Sequence, residues 1–193
     1  RINHTVFPNP PQLMDNVLRV TGHLQRKLAA TTGAEPAREA LTVIPTKGGA
    51  SYFLDAEGHY WRTYIFIAEA RTFDVCTDLR QATEAARAFG RFQAALADLE
   101  GGRLHDTIPY FHHTPRRFTA LEDAIAKDAH NRAASARDAI AFCLARRRLT
   151  TTLTRLLESG DIHERTVHND AKINNVMIDN ATGRGICVID LDT

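Results

Sequence analysis

The chain has 193 residues, room for one good-sized domain or two small ones. Hydrophobic (44%) and charged (24%) contents are ordinary for a globular protein, and a net charge of +1 gives no global attraction for nucleic acid or a membrane surface. Cys76, Cys143 and Cys187 show no paired spacing, no apolar run approaches the roughly 20 residues of a membrane span, and no signal peptide is visible, so a reducing, cytoplasmic setting is expected.

Residues 9 to 28 predict a helix. Asn9 can cap it, Pro10 suits its first turn, and Leu13, Val17, Val20, Leu24 and Leu28 recur on one face. Gly33 and Pro36 interrupt any continuation. LTVIPT, SYFL and HYWRTYIFI then alternate with the turn segments Lys47-Gly48-Gly49 and Asp55-Ala56-Glu57-Gly58, which predicts three antiparallel strands joined by hairpins. Trp61 and Tyr64 are read there as core or sheet-face residues. After Phe73-Asp74 the pattern turns helical, with Ala82, Ala85, Ala86, Phe89, Phe92, Leu96 and Leu99 at helical spacing up to Gly101-Gly102. The loop IPYFHHTPRRF follows. A second helical region runs from about Thr119 to Glu158, broken near Asn131 and closed by Gly160, with Arg146-Arg147-Arg148 as its solvated face. A helix beside a small antiparallel sheet, then helices, is an α+β arrangement.

The chemistry concentrates in TVHNDAKINNVMIDNATGRGICVIDLDT. Val176-Met177-Ile178 and Ile186-Cys187-Val188-Ile189 read as two short strands around the turn from Asp179 to Gly183, which returns Asp190 beside Asn175. Phosphoryl transfer needs cations against the phosphates and a carboxylate to orient the attacking hydroxyl. Asp170 can supply the carboxylate, Lys172 a cation for the γ-phosphate, and Asn175 with Asp190 oxygen donors for Mg²⁺. Nine histidines are present, but none makes an H-x-x-x-H pattern.

His168-x-Asp170-x-x-x-x-Asn175 followed by Ile189-Asp190 resembles the catalytic and metal-binding loops of protein-kinase-like phosphotransferases, closest to the aminoglycoside phosphotransferase and choline kinase group. RINHTVFPNP, YWRTYIFI, IPYFHHTPRRF and VHNDAKINNVMID together resemble its N-acetylhexosamine 1-kinase branch. The resemblance implies a two-lobed kinase-like fold, with residues 1–67 as a partial N-lobe, 68–73 as the hinge and 74–193 as a partial C-lobe. It also implies that this is the middle of a longer kinase, without the first N-lobe strands and the C-terminal helices, and that the piece alone is inactive. Asp170 would be the catalytic base, Lys172 a phosphate contact, His168 a brace for the loop, and Asn175 and Asp190 the Mg²⁺ ligands. The main chain of Phe66, Ile67, Ala68 and Glu69 would read the adenine of ATP.

The implied substrate is a small molecule, a sugar first, with an aminoglycoside or choline-type alcohol as the alternative and a non-catalytic nucleotide-binding module as the rival class. For the acceptor, His112, Arg116 and Asp192 are the candidates. Against each stands a plainer reading: a packed loop histidine for His112 or His113, helix-start surface charge for Arg116 and Arg117, and a solvated loop acid for Asp192. Asp15 is read as a surface acid.

Overall fold

A computed structural model describes residues 1–193 as a mixed α+β chain. It forms two compact units, Arg1–Ile108 with Thr166–Thr193, and Pro109–Arg165.

In the first unit, helix α1 spans Pro10–Ala29. Asn9 Oδ1 accepts the Gln12 N–H at 3.2 Å, which satisfies one of the donors a helix start leaves open. The expected stripe is the buried one. Leu13, Met14 and Val17 pack with Ile2 against Phe7, Val43, Tyr60 and Tyr64, while Val20 and Leu24 join Ala85, Ala88, Phe92, Val176 and Val188. Burial of each such side chain contributes about 1.5–3 kcal/mol, so α1 belongs to two cores at once.

Four two-residue strands follow the short helix α2 (Pro36–Glu39): β1 (Val43–Ile44), β2 (Phe53–Leu54), β3 (Tyr60–Trp61) and β4 (Thr63–Tyr64). The hairpin β2–β3 forms as expected, with Asp55 Oδ1 taking the Glu57 and His59 N–H groups and Gly58 at φ 83°. β1 differs from expectation. It pairs with β4, enclosing the hairpin, because the Lys47-Gly48-Gly49 turn closes locally on Thr46 instead of aligning β1 with β2. The expected single strand HYWRTYIFI breaks at Arg62.

A strand not expected from the sequence, β5 (Ala70–Arg71), pairs antiparallel with β6 (Val176–Asp179), which pairs with β7 (Gly185–Val188). Helix α3 (Leu79–Ala95), capped by Asp78, covers this sheet. The approach is close at Gly185, where an added Cβ would sit 2.8 Å from the Glu84 carbonyl oxygen and 3.2 Å from Ala88 Cβ and from Val176 Cγ1. Only glycine fits.

The second unit carries α4 (Thr114–Lys127), α5 (Arg137–Leu144) and α6 (Thr152–Glu158). The expected break near Asn131 lies between α4 and α5, where Asp128 and Asn131 are both left-handed, and Gly160 follows α6 at φ 79°. Arg146, Arg147 and Arg148 are exposed, with Arg146 over the Phe142 ring and Arg147 paired with Glu122. No helix is long and apolar enough to cross a membrane.

Candidate functional site

A 3-10 turn, Ile173–Asn175, feeds the chain into β6, and β7 returns it so that the Ile189 N–H donates to the Asn175 carbonyl at 2.9 Å. This one bond fixes Asp190 beside the loop that holds Asp170. The spacing read from the sequence is therefore realised in space.

His168 is buried and joins the two halves. Its Nε2 lies 2.8 Å from the Ile189 carbonyl, and its Nδ1 accepts the Asp170 N–H at 3.3 Å. A carbonyl on one ring nitrogen and an N–H on the other select the Nε2–H tautomer. Phe89 and Phe92 meet the ring edge-on with centroids at 5.2 and 6.0 Å. The residue after it, Asn169, is left-handed at φ 65°.

Asp170 is held from two sides. Asn175 Nδ2 donates to its carbonyl at 2.9 Å and to Oδ2 at 3.2 Å, and Lys172 Nζ lies 2.7 Å from Oδ2. The Lys172 ammonium, more than any other group, pulls this carboxyl below its ordinary range, and Asp170 raises Lys172 in return. The carboxylate is thus charged at neutral pH and half-exposed, an acceptor for a donor arriving from solvent. With both amide hydrogens of Asn175 engaged on Asp170, its buried side chain is left with Oδ1 as the free acceptor.

Asp190 stands at φ 63°, a conformation that costs a non-glycine residue on the order of 1–2 kcal/mol. Both flanks anchor it. Ile189 is tied to Asn175 and His168, Leu191 packs against all three apolar clusters of the unit, and the Asp192 carbonyl accepts from Thr107 Oγ1 at 2.7 Å. Asp192 is buried, not a solvated loop acid. Its Oδ1 lies 2.6 Å from Arg62 Nη2, an ion pair between two mostly buried side chains. Burial pushes the Asp192 carboxyl up, against the pull of Arg62. Beside them the Tyr64 hydroxyl is buried without a hydrogen-bond partner, and burial pushes it up to about 12.

The segment Phe66, Ile67, Ala68 and Glu69 leaves β4 and enters β5. Ile67 is buried on Leu41 and Cys187, whereas the Phe66 side chain is 87% exposed. Two of its carbonyls are occupied: Ala68 O accepts from Arg38 Nη2 at 3.2 Å, and Glu69 O from the Asn180 N–H at 2.9 Å. Arg38 also pairs with Asp179 at 2.8 Å, and this guanidinium, with Thr182, holds the Asp179 carboxyl far below its usual range.

Asp170, Lys172, His168, Asn175, Asp190 and Asp192 all come together in the first unit. The other acceptor candidates belong to the second. There His113 Nδ1 accepts the Arg116 N–H at 3.2 Å as the cap of α4, Arg116 lies over the Tyr110 ring at 3.5 Å, and the His112 and Phe111 rings are 4.5 Å apart. Asp15 Oδ2 pairs with His105 Nε2 at 3.0 Å. Two residues at the site went unmarked in the sequence, Arg62 and Arg38. A signal existed for Arg62, since period-two alternation puts it on the face of Tyr60 and Tyr64.

The donor set around Asn175 suits one class of ion. An amide oxygen and the Asp190 carboxylate are hard oxygen donors of the kind that bind Mg²⁺ while leaving positions for phosphate and water. No group of three His, Cys, Asp or Glu is gathered for a nitrogen- or sulfur-ligated metal. Residues 9–193 match APH, the phosphotransferase enzyme family.

Proposed function

The chain belongs to the phosphotransferase enzyme family, and from that premise we propose that it moves the γ-phosphoryl group of ATP to a hydroxyl of a small molecule. The observation that carries the reading is the joined set of Asp170, Lys172 and Asn175, tied through His168 to the strand that ends in Asp190. Asp170 orients the acceptor hydroxyl. As the bond from that oxygen to phosphorus forms and the bond from phosphorus to the ADP oxygen breaks, the hydroxyl proton passes to the Asp170 carboxylate. A carboxylate is a weak base, which suits a loose transition state in which the proton leaves late.

Lys172 can turn its ammonium from Asp170 to the transferring phosphate. Asn175 Oδ1 and the Asp190 carboxylate would hold Mg²⁺, which when bound supplies positive charge against the phosphate oxygens. Adenine is read by the main chain of Phe66, Ile67 and Ala68. With the Ala68 and Glu69 carbonyls already in use, the acceptors open to the base are those of Phe66 and Ile67. This segment leads from the N-lobe portion into the hinge at residues 68–73.

For the acceptor we take the anomeric hydroxyl of an N-acetylhexosamine. Its support is the similarity of RINHTVFPNP, YWRTYIFI and IPYFHHTPRRF to the hexosamine 1-kinase branch. Unpaired cysteines support a cytoplasmic setting. The test is Mg²⁺-dependent ADP release by the full-length protein across hexosamines, neutral sugars, choline and aminoglycosides, with Asp170→Asn as control. Turnover on N-acetylhexosamines that vanishes in Asp170→Asn supports the reading. Turnover on another acceptor alone discards the sugar, and ATP binding with silence on every acceptor replaces the kinase with a binding module.

A further inference from the structure

We infer that Arg62 is a positioning residue for the Asp190 loop, fixing it through Asp192. The inference rests on the phosphotransferase reading above and assigns a residue outside the Asp170 motif. Arg62 sits at the break between β3 and β4, on the inner face that carries Tyr60 and Tyr64. An arginine on a core face demands a reason, because a buried guanidinium is costly without a counter-charge.

Its surroundings supply one. The guanidinium lies 5.2 Å from the Tyr64 ring centroid, Nη1 approaches Met14 Sδ of α1 at 3.9 Å, and Nη2 reaches Asp192 at 2.6 Å. Both side chains are mostly buried, 14% exposed for Arg62 and 12% for Asp192. One side chain therefore ties α1, the β3–β4 edge and the segment after β7 at a single point. Asp190 lies two residues before the tie and holds a left-handed backbone that relaxes unless both flanks are fixed. On its near side the fixing comes from Ile189, and on its far side from Leu191 and the Arg62–Asp192 pair. Asp192 thereby acts in place of a substrate contact as the far anchor of the metal-binding loop, and Arg62 is what holds it.

The partners that orient metal ligands are worth about 10–100-fold in metal affinity when removed. The test uses the full-length protein and titration calorimetry to follow ADP binding with Mg²⁺ and with EDTA. Arg62→Met keeps the stem and deletes the charge, and Asp192→Asn keeps the shape of its partner. Each is expected to weaken the Mg²⁺-dependent binding about tenfold or more while leaving metal-free binding unchanged. The double variant should be no weaker than the worse single one. If Arg62→Met does not fold, Asp192→Asn and Arg62→Lys carry the same comparison.

Equal loss with and without Mg²⁺ would make Arg62 a merely structural residue and overturn the inference. So would Arg62→Met binding Mg²⁺–ADP like the wild type, with the phosphotransferase reading left standing. Full-length wild type indifferent to Mg²⁺–ADP would remove that reading and the inference with it.

Discussion

Replacing His168 by Phe isolates what its two nitrogens do. The aromatic ring stays, so the edge contacts at 5.2 Å to Phe89 and 6.0 Å to Phe92 have an equivalent and no cavity opens. What disappears is the bond to the Ile189 carbonyl at 2.8 Å and the acceptor of the Asp170 N–H at 3.3 Å. Stranding this part-buried carbonyl costs about 1–3 kcal/mol, and loss of the longer bond costs about 1 more, so the variant should be destabilised by ~2–4 kcal/mol. That is a large share of the ~5–15 kcal/mol that holds a typical domain. Urea unfolding followed by circular dichroism measures it as a lower midpoint at unchanged slope. In turnover assays of the full-length protein, kcat should fall more than KM for ATP changes, because Asp170 loses the acceptor of its own N–H. A variant within about 0.5 kcal/mol of wild type, with normal kcat, would mean that His168 serves as packing alone and that the brace does not exist.

Three further outcomes follow from the geometry. Gly185→Ala should destabilise by ~2–4 kcal/mol in the same urea assay, since its Cβ meets helix backbone and pushes β7 off its hydrogen bonds to α3; a near-neutral result would show that the strand can move freely. Asp55 is lowered chiefly by the Trp61 N–H, so its contribution is complete above the unfolded value of 3.8 and fades as pH falls through the lower folded value. The gap in melting temperature between wild type and Asp55→Ala should accordingly still be present at pH 5 and close only below 3.8, and closure at higher pH would contradict it. Under native conditions a thiol reagent at neutral pH should modify exposed Cys76 first and leave Cys187, pushed up to about 12 by burial, until the chain unfolds.

The parts of the fold that could be read in advance are those set by local chemistry. Asn9, Pro10 and the stripe from Leu13 to Leu24 declare α1 within 20 residues of chain. The stretch from His168 to Asp190 declares a turn, a hairpin and the acids around them, because the loop and strand pair are contiguous. What stayed hidden depends on partners far away. Ala70-Arg71 is a strand only because Asp179 and Ile178 lie beside it, and two residues carry no periodicity of their own. The pairing of Val43 with Tyr64 is decided by how the Lys47 turn closes, and turn residues alone do not distinguish a nested pair from a run of hairpins. Asp192 looks like any loop acid until Arg62, 130 positions earlier, is seen opposite it.

The way the first unit is threaded has a consequence for the order of events during synthesis. It is built from Arg1–Ile108 and Thr166–Thr193, with Pro109–Arg165 as an excursion between them. Val176, Ile178 and Val188 complete the core that α1 and α3 begin, so a ribosome that has released residue 108 has made an open face, not a finished unit. The β5 edge and the Arg38 guanidinium then wait for Asp179, which comes 141 positions after Arg38. Because loop-closure entropy grows only slowly with length, the wait is thermodynamically mild, yet for its duration an unpaired edge and apolar side chains are exposed to solvent. The acids that give the site its chemistry are made in the same segment that seals the core. A nascent chain therefore gains its site and the closure of this core together, from one segment.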